Sequence, residues 1–207
     1  MEQYVTEEQQ VEAIKRFWKE NGIPIVVGAA LGLGGLFGWR YYNDVKIAAQ
    51  EQASATYDVV TVDLIKNEAA FSSAQSYINE NSDSGYALLM AFKLAQQAAE
   101  RKDLTEAAKQ LSFAASNAES TSIQAIANLR LARVQLEQGM HEQALATLDN
   151  VSDEAFDAQR QETKGDVYQA QQLFDKARAA YSAALEVNAN NNILKMKLDN
   201  LATLANG

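Results

Sequence analysis

The chain contains no cysteine. That excludes a disulfide scaffold, thiol catalysis and a thiolate metal site, and it leaves the compartment open. Histidine is almost as scarce: His141 stands alone, beside Glu142 at an expected inter-helix turn, with no second ligand placed to help it hold a metal. The only proline is Pro24, and with abundant Ala, Leu, Gln and Glu this scarcity points to an all-helical protein. Basic residues are in deficit, 18 Lys and Arg against 27 Asp and Glu, for a net charge of −9. That sign argues against nucleic acid, which wants a basic face. The carboxylates are scattered along wet helix faces, with no pair that spacing would bring together in an apolar pocket. No phosphate loop and no nucleophile–base set is visible, so the expectation is a protein that is not an enzyme and carries no cofactor and no metal.

Charge is missing altogether between Ile23 and Trp39. At about 17 residues this run is at the short end of what crosses the hydrocarbon core as a helix, and helix satisfies every backbone amide within the segment. Trp39, Tyr41 and Tyr42 close it, where amphipathic rings favour the headgroup layer and Arg40 can snorkel among them. Pro24 is expected in the first turn, where its missing N–H costs nothing. A cleaved signal peptide would have a short basic leader and a small-residue site just past its core. Here the leader is mixed in charge, the core ends in bulky residues, and Ala53-Ser54-Ala55 lies too far downstream. The crowded glycines also fail the dinucleotide fingerprint, since counting from Gly32 the last position is Phe37. Gly28/Gly32 and Gly34/Gly38 each form G-x-x-x-G, which lets a second membrane helix pack closely; equally, glycine is common in such helices.

Residues 1–21 read as a short amphipathic helix. Val11, Ile14, Phe17 and Trp18 recur at helical spacing among charged neighbours. Thr6 with Gln9 suits an N-cap and Asn21-Gly22 a stop. The apolar face suits membrane lipid at the interface, or else docking to a cytosolic partner. Lys15, Arg16 and Lys19 precede the anchor while Arg40 and Lys46 follow it, which places the N-terminus inside and the C-terminal part outside. The boundaries predicted are 1–21 for the cytosolic segment, 22–42 for the membrane helix and 43–207 for the outer domain. The helix is expected to continue past Tyr42 without a linker as far as Lys66-Asn67, joining the domain stiffly to its anchor.

From there the chain repeats. Gly165-Asp166-Val167-Tyr168, Phe174 to Arg178, Tyr181 and Ala184 outline two helices and a turn. The same frame fits Leu131-Ala132-Arg133, His141 to Ala144, Leu148 and Val151, and again Leu94-Ala95, Leu104 to Ala108, Leu111 and Ala114. A worn copy lies at Val62, Ile65, Phe71, Ala74 and Ile78. The small residues Ala74, Ala107, Ala144 and Ala177 fall about 33 to 37 residues apart, and the pattern resembles the tetratricopeptide repeat, whose unit is 34 residues and two helices. Ile193 to Leu201 has the look of a terminal capping helix. The usual proline after the second helix is absent, Asn188 to Asn192 stands there, and a generic helix bundle is the competing reading. The predicted fold is all-α: a single N-terminal transmembrane helix followed by a tetratricopeptide-repeat-like α-solenoid.

Such a solenoid binds through the inner face of its first helices. Val59, Phe92, Leu129 and Glu162 lie three residues before each small contact residue there, and Asp63, Gln96, Arg133 and Asp166 one residue after it. Projecting inward, they would give a groove that is apolar through three units and acidic in the last. Val59, Phe92, Gln96, Leu129 and Arg133 are therefore the candidate partner-binding residues for an apolar peptide or helix. Val59, Phe92 and Leu129 suit a core equally well.

Read together, Gln10 to Trp18, the glycine-rich anchor closing in Gly38-Trp39-Arg40-Tyr41-Tyr42, and Asn128 to Gln135 resemble the bacterial YfgM-like family, ancillary subunits of the SecYEG translocon. The resemblance implies an inner-membrane protein with its N-terminus in the cytoplasm and its repeats in the periplasm. It also implies partnership with the SecYEG translocon and with a PpiD-type periplasmic chaperone; in an adaptor role the groove would also take exported polypeptides. The role expected is an adaptor. The alternative is an envelope-stress regulator whose residues 1–21 bind a cytosolic signalling protein.

Overall fold

A computed structural model of the chain describes residues 7–67 and 69–204. Among these, nine α-helices and a single 3-10 turn account for the ordered structure, and no strand is present. The chain divides into two compact units, Met1–Gln52 and Ala53–Gly207.

The first unit consists of the greater part of α1 (Glu7–Lys66). It contains an apolar window of mean hydropathy 1.7, long and apolar enough to cross a membrane. Ile23, Leu31, Phe37 and Trp39 are each more than half exposed, and among the unit's described residues only Gly22 is buried. A helix so apolar, with so little of itself covered, needs a non-aqueous surrounding. The stop expected at Asn21-Gly22 is not there: α1 runs through both residues and through Pro24. The side-chain amide of Asn21 donates back to the Phe17 carbonyl (3.1 Å), one turn earlier, so it bonds within the helix instead of capping an end. Gly22 receives the Trp18 indole at 3.4 Å from where a Cβ would sit. Pro24 falls in the helix interior rather than its first turn; it removes one intrahelical donor, and the long apolar flanks carry the helix past it. Thr6, expected as the N-cap, lies outside the described residues.

The second unit is a run of helical hairpins. The C-terminal part of α1 precedes α2 (Ala70–Glu80). After it come α3 (Gly85–Glu100) with α4 (Leu104–Asn117), and α5 (Thr121–Glu137) with α6 (His141–Asp149). A 3-10 turn, Glu154–Phe156, leads to α7 (Asp157–Ala170) with α8 (Phe174–Val187), and α9 (Asn192–Leu204) closes the array. From α2 onward each helix packs on its neighbours in sequence, and α5 also meets α7. This is the near one-dimensional contact pattern of a solenoid. Three of the hairpins turn identically. Lys102, Gly139 and Gln172 take positive φ (63°, 75° and 61°). The following amides, Asp103, Met140 and Leu173, donate to Ala98, Gln135 and Tyr168 carbonyls at 2.8–2.9 Å. This C-terminal motif satisfies carbonyls the helix end would otherwise orphan.

Ala74, Ala107, Ala144 and Ala177 are all fully buried, as close packing of paired helices requires. The wide middle spacing arises inside a helix, since α4 is 14 residues long where α2 has 11 and α6 has 9. Asn191, in the asparagine run, caps α9 by accepting from the Ile193 and Leu194 amides (3.0 and 3.2 Å). In the first, worn repeat Phe71, Ala74 and Ile78 pack as the frame requires, and Val62 does not. Val62 is 47% exposed while Leu64 is fully buried with Ala70, Ala74, Tyr77 and Ile78. A terminal repeat has neighbours on one side only, so the face carrying Val62 has nothing in its own unit to cover it. The side chain of Ile65 lies outside the described residues.

Candidate functional site

The first helices α3 and α5 each bring one face to a shared cleft of about 450 Å³. Phe92, Ala95, Gln96 and Ala99 come from α3, Leu111 from α4, and Arg130, Arg133 and Val134 from α5. The floor is apolar because Ala95, Leu111 and Leu131 form a small core beneath it, with Phe92 and Val134 packed on top. Phe92 is half-buried, and the Arg130 guanidinium lies 5.1 Å above its ring, a distance at which the cation is drawn to the π face. The Gln96 side chain donates to Glu100 and accepts from Lys93 (2.9 and 3.3 Å), while Gln97 donates to the other Glu100 oxygen at 2.7 Å. The nearest carboxylate on α3 is thereby engaged by amides of its own helix.

Of the residues predicted to line a groove, Phe92, Gln96 and Arg133 come together in this cleft. Leu129 does not: at 5% exposure it belongs to the core with Ala125, Ala132, Ala144, Leu148 and Val167. Val59 is 63% exposed on α1 and is not a lining residue. Arg130 was not foreseen. The signal was its position three residues before Arg133, one helical turn away on the same face.

The last unit differs in kind. Glu162 and Asp166, expected to make its groove acidic, share one cation from within the chain. Lys197 of α9 reaches both, at 2.9 Å from Glu162 and 2.6 Å from Asp166. Beneath them the Tyr181 hydroxyl of α8 donates its one proton to Asp166 (2.7 Å) and lies 2.8 Å from the Gln169 side-chain amide. Burial alone pulls the Lys197 ammonium down, but its hydrogen bonds to Asp166 and Glu162 and their charge outweigh that, so its pKa is raised. The Tyr181 phenol is pushed well above its ordinary value, first by burial and then by the bond to Asp166 and the negative charge around it.

In the apolar helix, a Cβ built on Gly28, Gly32, Gly34 or Gly38 would meet nothing within 4 Å. Among the described residues nothing demands glycine there, and each costs helix stability relative to alanine. Among the described residues no group of three or more His, Cys, Asp or Glu is placed to hold a metal ion.

Residues 15–203 match the family described as tetratricopeptide repeat-like domain. The protein named ancillary SecYEG translocon subunit in Escherichia coli (strain K12) is 34% identical over 206 residues, covering 98% of this chain and 100% of that protein. Its namesake in Haemophilus influenzae is 34% identical over 205 residues (95% and 98%), and that of Neisseria gonorrhoeae 32% over 212 (97% and 100%). A solved chain of the MamA RS-1 ArsTM double mutant superposes with a TM-score of 0.59 at 15% identity, over 74% of this chain and 84% of that one. At that identity the likeness is one of fold.

Proposed function

The chain belongs to the family of ancillary SecYEG translocon subunits, built on a tetratricopeptide repeat-like domain, and we propose that it serves as a non-enzymatic adaptor at the translocon of the bacterial inner membrane. In this reading residues 22–42 cross the bilayer once, the N-terminal segment lies in the cytoplasm, and the repeat domain stands in the periplasm. There it links exported polypeptides to a PpiD-type periplasmic chaperone. The glycines Gly28, Gly32, Gly34 and Gly38 offer a close-packing face to a membrane helix of a partner.

The observation that carries the reading is the extent of the similarity. It runs through the apolar N-terminal helix as well as the repeats, so anchor and repeat domain go together. A repeat array with a lined cleft is a binding surface, and tethering it beside a partner raises its effective concentration there.

The test is purification of the intact chain from membranes in mild detergent, with mass spectrometry of what accompanies it. Translocon subunits and a periplasmic chaperone are expected. Gly32→Leu should reduce the translocon subunits, and deletion of residues 1–21 should leave both classes of partner in place. Recovery of a cytosolic signalling protein alone, lost with residues 1–21, would replace the adaptor with a regulator.

A further inference from the structure

We propose that the cleft between α3 and α5 binds a partner peptide in which an apolar side chain stands next to carboxylates, the apolar group lying on Phe92 and the carboxylates meeting Arg130 and Arg133. The inference rests on the adaptor reading and names the chemistry of the segment that reading requires.

The charge pattern is the ground for it. The chain carries a net charge of −9, and among the described residues carboxylates hold five of its eighteen Lys and Arg side chains. Lys109, Arg160, Lys164, Arg178 and Lys197 each lie within 4.0 Å of a carboxylate. Among the described residues, Arg130 and Arg133 have none within that distance, although Glu137 follows one turn later on the same helix. Both are exposed, on one side of α5, above an apolar floor. In an acidic chain, two neighbouring guanidiniums left without carboxylates above an apolar floor make a cleft whose lining does not repel a negative ligand.

The repeat frame sharpens the contrast. Asp166 of α7 is the counterpart of Arg133 of α5, and its charge is met by Lys197 of α9, two helices on. Two helices on from α5 stands α7, and among the described residues it puts no carboxylate within 4.0 Å of Arg133. One position is closed by the chain itself; the other is left for something outside it. A planar guanidinium accepts a carboxylate through two parallel hydrogen bonds. Arg130 already lies over Phe92, so an apolar side chain entering beside it would be covered from above. An apolar anchor with a polar rim is the arrangement in which a few residues supply most of the binding energy.

The proposal is tested with the full chain in detergent micelles and short fluorescent peptides read by anisotropy. The peptides have Phe-Asp-Asp, Phe-Asn-Asn, Ala-Asp-Asp or Phe-Lys-Lys at their centre. The first should bind at least about tenfold more tightly than any of the others, and should weaken as salt is raised. The double variant Arg130→Glu with Arg133→Glu replaces exposed side chains, so its circular dichroism should match the wild type, and its melting should fall by no more than the loss of the Arg130 contact with Phe92. It should lose the Phe-Asp-Asp peptide and gain Phe-Lys-Lys. Equal affinity for Phe-Asp-Asp and Phe-Asn-Asn, no measurable binding of any peptide, or an unaltered profile in the double variant would each overturn the assignment. So would binding of anionic lipid vesicles in preference to the peptides. Co-purification separates the two levels of the argument. Translocon subunits recovered without acidic-peptide selectivity would refute the cleft alone, whereas selectivity without the translocon would refute the adaptor alone.

Discussion

The ring of Tyr181 occupies the space that a Cβ at position 165 would need. Gly165 is buried beneath it, and any side chain there would overlap the ring carbons. The contact locks α8 against α7 and aims the Tyr181 hydroxyl at Asp166, one residue on, at 2.7 Å. Packing and the polar network of the last repeat therefore depend on one glycine.

Gly165→Ala should accordingly destabilise the repeat domain by about 1–3 kcal/mol, the range for overpacking a well-filled core. Tyr181→Phe keeps the ring and loses only the hydroxyl, and should cost about 1 kcal/mol. Urea unfolding of the intact chain in detergent, followed by circular dichroism, checks both. A Gly165→Ala protein as stable as wild type would show that α7 and α8 can separate at no cost.

The same polar network sets an alkaline limit. Lys197 and Tyr181 both have raised folded-state values, against ordinary ones of 10.5 and 10.0. A raised value means that the protonated form is favoured by folding. The stabilisation is complete below the ordinary values and is lost as pH climbs through the folded-state ones. Melting temperature should therefore fall as pH rises above about 10. In Lys197→Met that fall should be smaller, while stability at neutral pH drops by about 1–3 kcal/mol because Glu162 and Asp166 lose their counter-ion.

Backbone strain is unequal among the three matching turns. Gly139 takes its positive φ freely, while Lys102 and Gln172 adopt the same conformation with a Cβ. Gly139→Ala should cost about 1 kcal/mol, and Lys102→Gly should be neutral or stabilising by up to about 1 kcal/mol. Thermal melts of the two variants beside wild type measure the difference directly.

The absence of cysteine supplies a clean test of orientation. A single cysteine at Ser152 should react with a membrane-impermeant maleimide in intact spheroplasts, and one at Glu8 only after permeabilisation. The reverse pattern would place the repeats in the cytoplasm and remove the periplasmic role.

Much of this architecture was legible in the sequence because its determinants are local. An uncharged run fixes an apolar helix, since the backbone must satisfy itself wherever water is absent. Small residues recurring at the repeat period fix the helix pairs, since only they let two backbones approach. What the sequence left open depends on groups far apart in the chain or on competition between neighbouring signals. Asn21-Gly22 reads as a stop, yet the side chain of Asn21 bonds to Phe17 and the helix passes through. Leu129 and Phe92 occupy the same place in their repeats, but Leu129 is sealed beneath α6 and α7 residues while Phe92 keeps an open side against Arg130. Glu162 and Asp166 look like an acidic groove until Lys197, more than thirty residues later, closes on them. Periodicity assigns each side chain to a face. Whether that face is covered, neutralised or left open is decided by the helix packed beside it, and that depends on tertiary structure.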